Sequence, residues 1–149
     1  MEFLEKNLAE YCENHTSPES ELLSKLNRDT HVKVVSSRML SGHLQGRVLS
    51  FISKLQKPTF IVEVGTYTGY SALCLAEGLS ENGKLLSIDV NEETSYYAQS
   101  FINQSVYKNK IELVVADAKA VIPDISEPID LVFIDADKKN YLSYYHLLI

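Results

Sequence analysis

The chain has 149 residues, of which 45% are hydrophobic and 23% charged. These are the proportions of one globular domain, long enough to bury a core without disulfide or metal staples. Acidic residues outnumber basic ones 20 to 14, a balance that disfavours non-specific binding to phosphate backbones, although a local basic patch reading one RNA stays open.

The N-terminus, Met1-Glu2-Phe3-Leu4-Glu5-Lys6, lacks the basic-then-apolar order of a secretory leader. No apolar stretch approaches the length of a membrane span. Cys12 and Cys74 form no zinc-spaced cluster with histidine, and they predict reduced thiols in a cytoplasmic protein. Phe3, Leu4, Leu8 and Tyr11 recur at helical spacing. Ser17-Pro18 offers an N-cap and a first-turn proline for a second helix, with Leu22, Leu23 and Leu26 as its apolar face. A third helix carries Leu44, Val48, Leu49, Ile52 and Leu55 and stops at Lys57-Pro58.

From residue 58 the texture changes. Short β-branched runs occupy Phe60–Val64, Lys84–Asp89, Ile111–Val115 and Asp130–Ile134, separated by helical stretches near 70–79, 92–105 and 118–122. This alternation predicts an α/β fold, a parallel sheet with crossover helices on both faces. The layout is a single domain: a helical segment, 1–57, packed on a cofactor-binding core, 58–149. Cys74, within Ser71–Ala76, reads as a small core residue. The chain ends at Ile149 within helical texture, without a cap or polar tail, which predicts a sheet cut off after its fourth strand and following helix, with apolar surface left at the edge.

In such sheets ligands bind beyond the carboxyl ends of the strands. Those ends carry Gly65, Asp89, Asp117 and Asp135. The loop Gly65-Thr66-Tyr67-Thr68-Gly69-Tyr70-Ser71 is neither G-x-G-x-x-G nor a P-loop, so it is not built for a dinucleotide or a nucleoside triphosphate. A phosphate-free nucleoside fits better, and S-adenosylmethionine is such a ligand. Loop amides and Ser71 can hold its carboxylate end, and Asp89 can accept both ribose hydroxyls. Glu63 lies within an apolar strand, where a carboxylate needs a polar task. The competing account of the loop is a plain strand–turn–helix. In Asp135-Ala136-Asp137-Lys138 the competing account is helix capping by Asp137 and a solvated Lys138.

The motifs Glu63-Val64-Gly65-Thr66-Tyr67-Thr68-Gly69-Tyr70-Ser71, Ser87-Ile88-Asp89-Val90 and Phe133-Ile134-Asp135-Ala136-Asp137-Lys138-Lys139-Asn140-Tyr141 resemble the cation-dependent O-methyltransferases that act on caffeoyl-CoA, including their bacterial branch, and more distantly catechol O-methyltransferase. The resemblance runs from about residue 36 to the end. It implies a Rossmann-like S-adenosylmethionine-dependent methyltransferase fold. The cofactor contacts it implies are Met39, Ser41, Glu63, Gly65, Thr66, Ser71, Asp89, Ala118, Asp137 and Tyr144. Asp135 would ligate a divalent cation, usually magnesium, and Lys138 would take a phenolic proton. The partners implied are a small hydroxylated aromatic substrate and a second copy in a homodimer. The Asp-Asn pair that completes the family's cation site, on a later strand, falls beyond Ile149. Two alternatives stay open: a tRNA hydroxyuridine methyltransferase and a non-catalytic nucleoside-binding module.

Overall fold

The computed structural model describes residues 5–149, so Phe3 and Leu4 of the first expected helix lie outside the described residues. The elements, in order, are α1 (Lys6–Asn14), α2 (Glu21–Lys33), α3 (Gly42–Gln56), β1 (Phe60–Val64), α4 (Tyr70–Ala76), β2 (Lys84–Asp89), α5 (Glu92–Ile102), β3 (Ile111–Val115), α6 (Ala118–Val121), β4 (Leu131–Ile134) and α7 (Tyr141–Leu148). Each strand lies within a residue of its predicted bounds. Strands announce themselves by local composition, whereas helix ends depend on caps.

Two expectations about the N-terminal helices need correction. Helix α2 starts at Glu21, not beside Pro18, because Ser20 is its N-cap: the Ser20 hydroxyl accepts the Leu23 N–H at 3.3 Å. Glu21 then sits favourably in the first turn. The inward face of α3 is not the predicted Leu44, Val48, Leu49, Ile52, Leu55 stripe. Gly46, Leu49, Ser50 and Ser53 are buried, while Val48, Phe51, Ile52 and Leu55 are exposed. The cause is α4, whose seven residues are all buried. A Cβ at position 46 would lie 2.5 Å from Tyr70 Cε1 and 2.8 Å from Cys74 Sγ, so only a small residue lets the two helices approach. Ser53 also donates to the Leu75 carbonyl at 2.6 Å. Lys57 closes α3 in a left-handed conformation directly before Pro58.

The four strands form one parallel sheet in the order β3-β2-β1-β4. The chain winds outward from β1 through β2 to β3 and then returns to place β4 on the other side of β1. The switch point therefore lies between β1 and β4. Side chains of β1 alternate between two cores. Ile61 joins Leu26, Leu49, Leu75, Phe101 and Ile102 on one face; Phe60, Val62 and Val64 join Ile122 and Tyr144 on the other. Cys74 is buried in the first core, as expected of a small apolar residue. Only β1 is buried along its full length; β3 and β4, at the sheet edges, are mostly half-buried or exposed. Beyond β4, Leu142 and Ile149 are exposed as well. Asp130 ties the start of β4 to β1 by accepting the Thr59 and Phe60 amides at 2.7 and 3.1 Å. Among the described residues no helix is long and apolar enough to cross a membrane.

Candidate cofactor site

A cavity of about 330 Å³ opens at the carboxyl ends of β1, β2 and β4. Its position at the switch point follows from the sheet order, and its size suits a small cofactor. The loop after β1 forms one wall, the ends of β2 and β3 a second, and Asp135–Asp137 with Tyr144 a third. The segment before α3 lies over it, through Met39, Leu40 and Ser41. The structure thus brings Met39, Ser41, Gly65, Thr66, Ser71, Asp89, Ala118, Asp135, Asp137 and Tyr144 around one space. Glu63 and Lys138 are not in the lining.

Glycine is required at the turn out of β1. Gly65 has φ +106°, and a Cβ there would sit 2.5 Å from the Asp135 carbonyl oxygen. The strand exits of β1 and β4 therefore pack backbone against backbone. Gly69, at φ +88°, packs a Cβ-free face against Ala98 of α5.

The carboxylate of Asp89 is partly engaged by the protein. Its Oδ2 accepts the Tyr67 amide at 2.7 Å and its Oδ1 the Asn91 amide at 2.9 Å. Each oxygen keeps a lone pair for a ligand hydroxyl. Asp137 is also committed: it accepts the Asn140 amide at 3.1 Å and the Tyr144 hydroxyl at 2.8 Å. Those bonds, Tyr144 first, hold its carboxyl below the usual carboxylate range. The capping role weighed for Asp137 is present in the structure. Asp117 likewise caps α6 through the Lys119 amide. Asp135 has no hydrogen-bond partner for its carboxylate among the described residues. It stands at the rim, where local burial raises its pKa and the neighbouring Lys138 ammonium opposes that. Lys138 itself is exposed at the start of the turn into α7, the placement of a solvated lysine.

Glu63 lies beneath the floor, fully buried. The parallel register sets it opposite Ser87. The Ser87 hydroxyl donates to Glu63 Oε2, and Thr66 Oγ1 lies 2.5 Å from the same hydroxyl. A hydroxyl chain thus runs from the lining residue Thr66 down to the carboxyl. Glu63 Oε1 has no partner. Burial pushes the carboxyl up to about 7, with the Ser71 and Ser87 hydroxyls pulling down and Asp89 and Asp135 pushing up. Sequence reasoning missed Ser87; a serine inside an apolar strand, in register with a buried acid, was the available signal. Tyr67 was passed over as well, since tyrosines near the loop read as packing.

The described residues do not by themselves complete a divalent-cation site. Among the described residues no three or more His, Cys, Asp or Glu side chains gather to hold a metal. Asp135 stands alone, because Asp89 and Asp137 are engaged by protein donors. A single free carboxylate is a partial ligand set, since magnesium takes one or two carboxylates and fills its remaining positions with waters or substrate oxygens.

Sheet order and cavity position together define a Rossmann-like α/β architecture with its pocket at the switch point. The chain belongs to the O-methyltransferase family, which it matches over residues 13–149. It is 34% identical over 137 residues to a caffeoyl-CoA O-methyltransferase of Stellaria longipes, covering 88% of this chain and 56% of that protein. A flavonoid 3',5'-methyltransferase of Vitis vinifera is 32% identical over 111 residues, 70% of this chain and 47% of the relative. The chain spans about half the length of the curated relatives it matches. Among solved structures, the O-methyltransferase TomG of Streptomyces achromogenes, in complex with SAM, superposes with a TM-score of 0.87 at 25% identity, covering 95% of this chain and 65% of that one. An O-methyltransferase of Bacillus cereus in complex with SAH gives 0.82 at 26% identity, covering 95% and 66%.

Proposed function

We propose that this protein binds S-adenosylmethionine in the switch-point cavity and transfers its methyl group to a hydroxyl of a small catechol-like phenol. The observation that carries the reading is the charge of the cavity. Three aspartates line it, Asp89, Asp135 and Asp137, and no lysine, arginine or histidine does. A fourth acid, Glu63, lies below the floor. Such a lining repels polyphosphates and suits a ligand carrying a sulfonium and an ammonium. The solved neighbours that hold SAM or SAH support the same choice.

In this reading Asp89 accepts the ribose hydroxyls on its free lone pairs, and Ala118 lies beside the adenine. Thr66 and Ser71 face the amino-acid end. Met39 and Ser41 close over the cofactor. The phenolic oxygen must lose its proton before it attacks, since a phenol near pKa 10 is a poor nucleophile at neutral pH. Lys138, exposed next to Asp135, is assigned the proton-accepting role, which it fills only as the neutral amine; the proton leaves the phenol oxygen for its Nζ lone pair. The phenolate oxygen then attacks the methyl carbon in line, the carbon–sulfur bond breaks, and the leaving group is the neutral thioether. Proximity and alignment are the main contributions of the walls. Opposite charges cancel in this step, so a cavity shielded from water favours it. No step is assigned to a cation, whose ligand set these residues do not complete.

The test is calorimetric titration of the chain with S-adenosylhomocysteine and, separately, with NADH and ATP. Binding of the first and not of the others is expected. The reading is overturned by silence with S-adenosylhomocysteine alongside binding of either phosphate ligand. Labelled methyl transfer to a catechol panel, with bulk tRNA as the comparison acceptor, then tests the substrate class.

A further inference from the structure

The segment from Val34 to Ser41 is a strap that reaches the cavity through Met39, Leu40 and Ser41, and little holds it. Val35, Ser36, Arg38 and Met39 are exposed. Its internal hydrogen bonds close one 3₁₀ turn, Met39 N–H to Ser36 and Leu40 N–H to Ser37. Its one packing anchor in the main core is Leu40. Among the described residues a single hydrogen bond ties residues 35–40 to the sheet side of the molecule: the Tyr67 hydroxyl donates to the Val35 carbonyl at 3.0 Å.

Tyr67 is itself held at its other end. Its backbone is left-handed, φ 50°, a conformation unfavourable for a bulky side chain. The Tyr67 amide donates to Asp89 Oδ2 at 2.7 Å, and that bond fixes the twist that aims the ring at the strap. One residue thus touches both the acid at the end of β2 and the strap over the opening.

We propose that Tyr67 is a positioning residue that couples Asp89 to the strap, so that a ligand seated on Asp89 is retained by a strap held in place through the Tyr67 hydroxyl. The ligand half of this proposal rests on the cofactor reading above; the tie itself does not. A ligand hydroxyl on Asp89 orders the carboxylate, the ordered carboxylate fixes the Tyr67 amide, and the ring then holds Val35. Loss of the hydroxyl should act on escape from the cavity more than on entry.

Tyr67→Phe removes only the hydroxyl. In the ligand-free protein, amide exchange at Met39 and Leu40, the hydrogen-bonded amides of the strap, is expected to rise about three- to tenfold, the range for one net hydrogen bond, with the thermal midpoint unchanged. With S-adenosylhomocysteine, the dissociation rate is expected to rise by a similar factor and the association rate to stay within about twofold. Unchanged strap exchange in the ligand-free variant overturns the tie, as does a uniform rise in exchange across α4 and the sheet. A loss of affinity carried wholly by the association rate overturns the retention role. If the unaltered protein fails to bind S-adenosylhomocysteine, the cofactor reading falls, and the ligand-free exchange comparison still decides the tie.

Discussion

Replacing Glu63 by glutamine should make the protein more stable at neutral and alkaline pH. The carboxyl is fully buried, one oxygen is unpartnered, and burial raises its pKa from 4.5 to about 7. Native protein therefore keeps this proton up to about pH 7, while the unfolded chain releases it near 4.5. A group with a raised native pKa supports the fold fully below the unfolded value and loses that support as pH rises through the native one. The difference of 2.5 units corresponds to roughly 3 kcal/mol, at about 1.4 kcal/mol per unit. Glutamine has nearly the same shape, can accept the Ser87 hydroxyl and does not titrate. In melting curves of both proteins from pH 4 to pH 8, the gap between midpoints should widen in favour of Glu63→Gln across the window from about 4.5 to 7. For a chain of this length, about 3 kcal/mol translates to roughly 6–12 °C. Subtracting the two curves removes the other titrating groups. Parallel curves across that window would refute the assignment of a strained, protonated carboxyl beneath the floor.

Three further outcomes follow from the same geometry. Gly65→Ala places a methyl 2.5 Å from the Asp135 carbonyl oxygen in a left-handed backbone; urea unfolding should show a loss of about 2 kcal/mol or more, and S-adenosylhomocysteine binding should vanish. Glu77 draws Arg47 at 2.6 Å, Lys54 at 2.7 Å and the Ser50 hydroxyl at 2.7 Å. Burial opposes these partners, but together they bring its pKa down to about 2. Its contribution is therefore full above about pH 4.5 and fades as pH falls towards 2; acid titration of Glu77→Gln should show a shallower loss of stability than the parent. Asp135→Ala should leave S-adenosylhomocysteine affinity within about threefold by calorimetry, since Asp135 is one wall residue among many; a loss of more than about tenfold would show that its carboxylate holds the cofactor directly.

The strands, their parallel alternation with helices and the position of the cavity were legible in the sequence. Phe60–Val64 carries the β-branched residues Ile61, Val62 and Val64, Lys84–Asp89 the apolar Leu85, Leu86 and Ile88, and both runs are bounded by breakers, which are local properties. Gly65 and Asp89 could be placed at the carboxyl ends for the same reason: a residue that ends a strand is adjacent to it in sequence as well as in space. The residues that the motif resemblance implied as cofactor contacts line one cavity, apart from Glu63. Contacts between segments distant in sequence were another matter. Hydrophobic periodicity located α3 but shares only Leu49 with its buried face, because it counts greasy residues and cannot know that α4 packs so tightly that Gly46, Ser50 and Ser53 fit where leucine does not. Glu63 faces Ser87 only through the β1–β2 register, and the Tyr67 hydroxyl reaches Val35 across 32 positions. Steric fit and hydrogen-bond geometry act between atoms brought together by the whole chain, so those decisions belong to the tertiary structure.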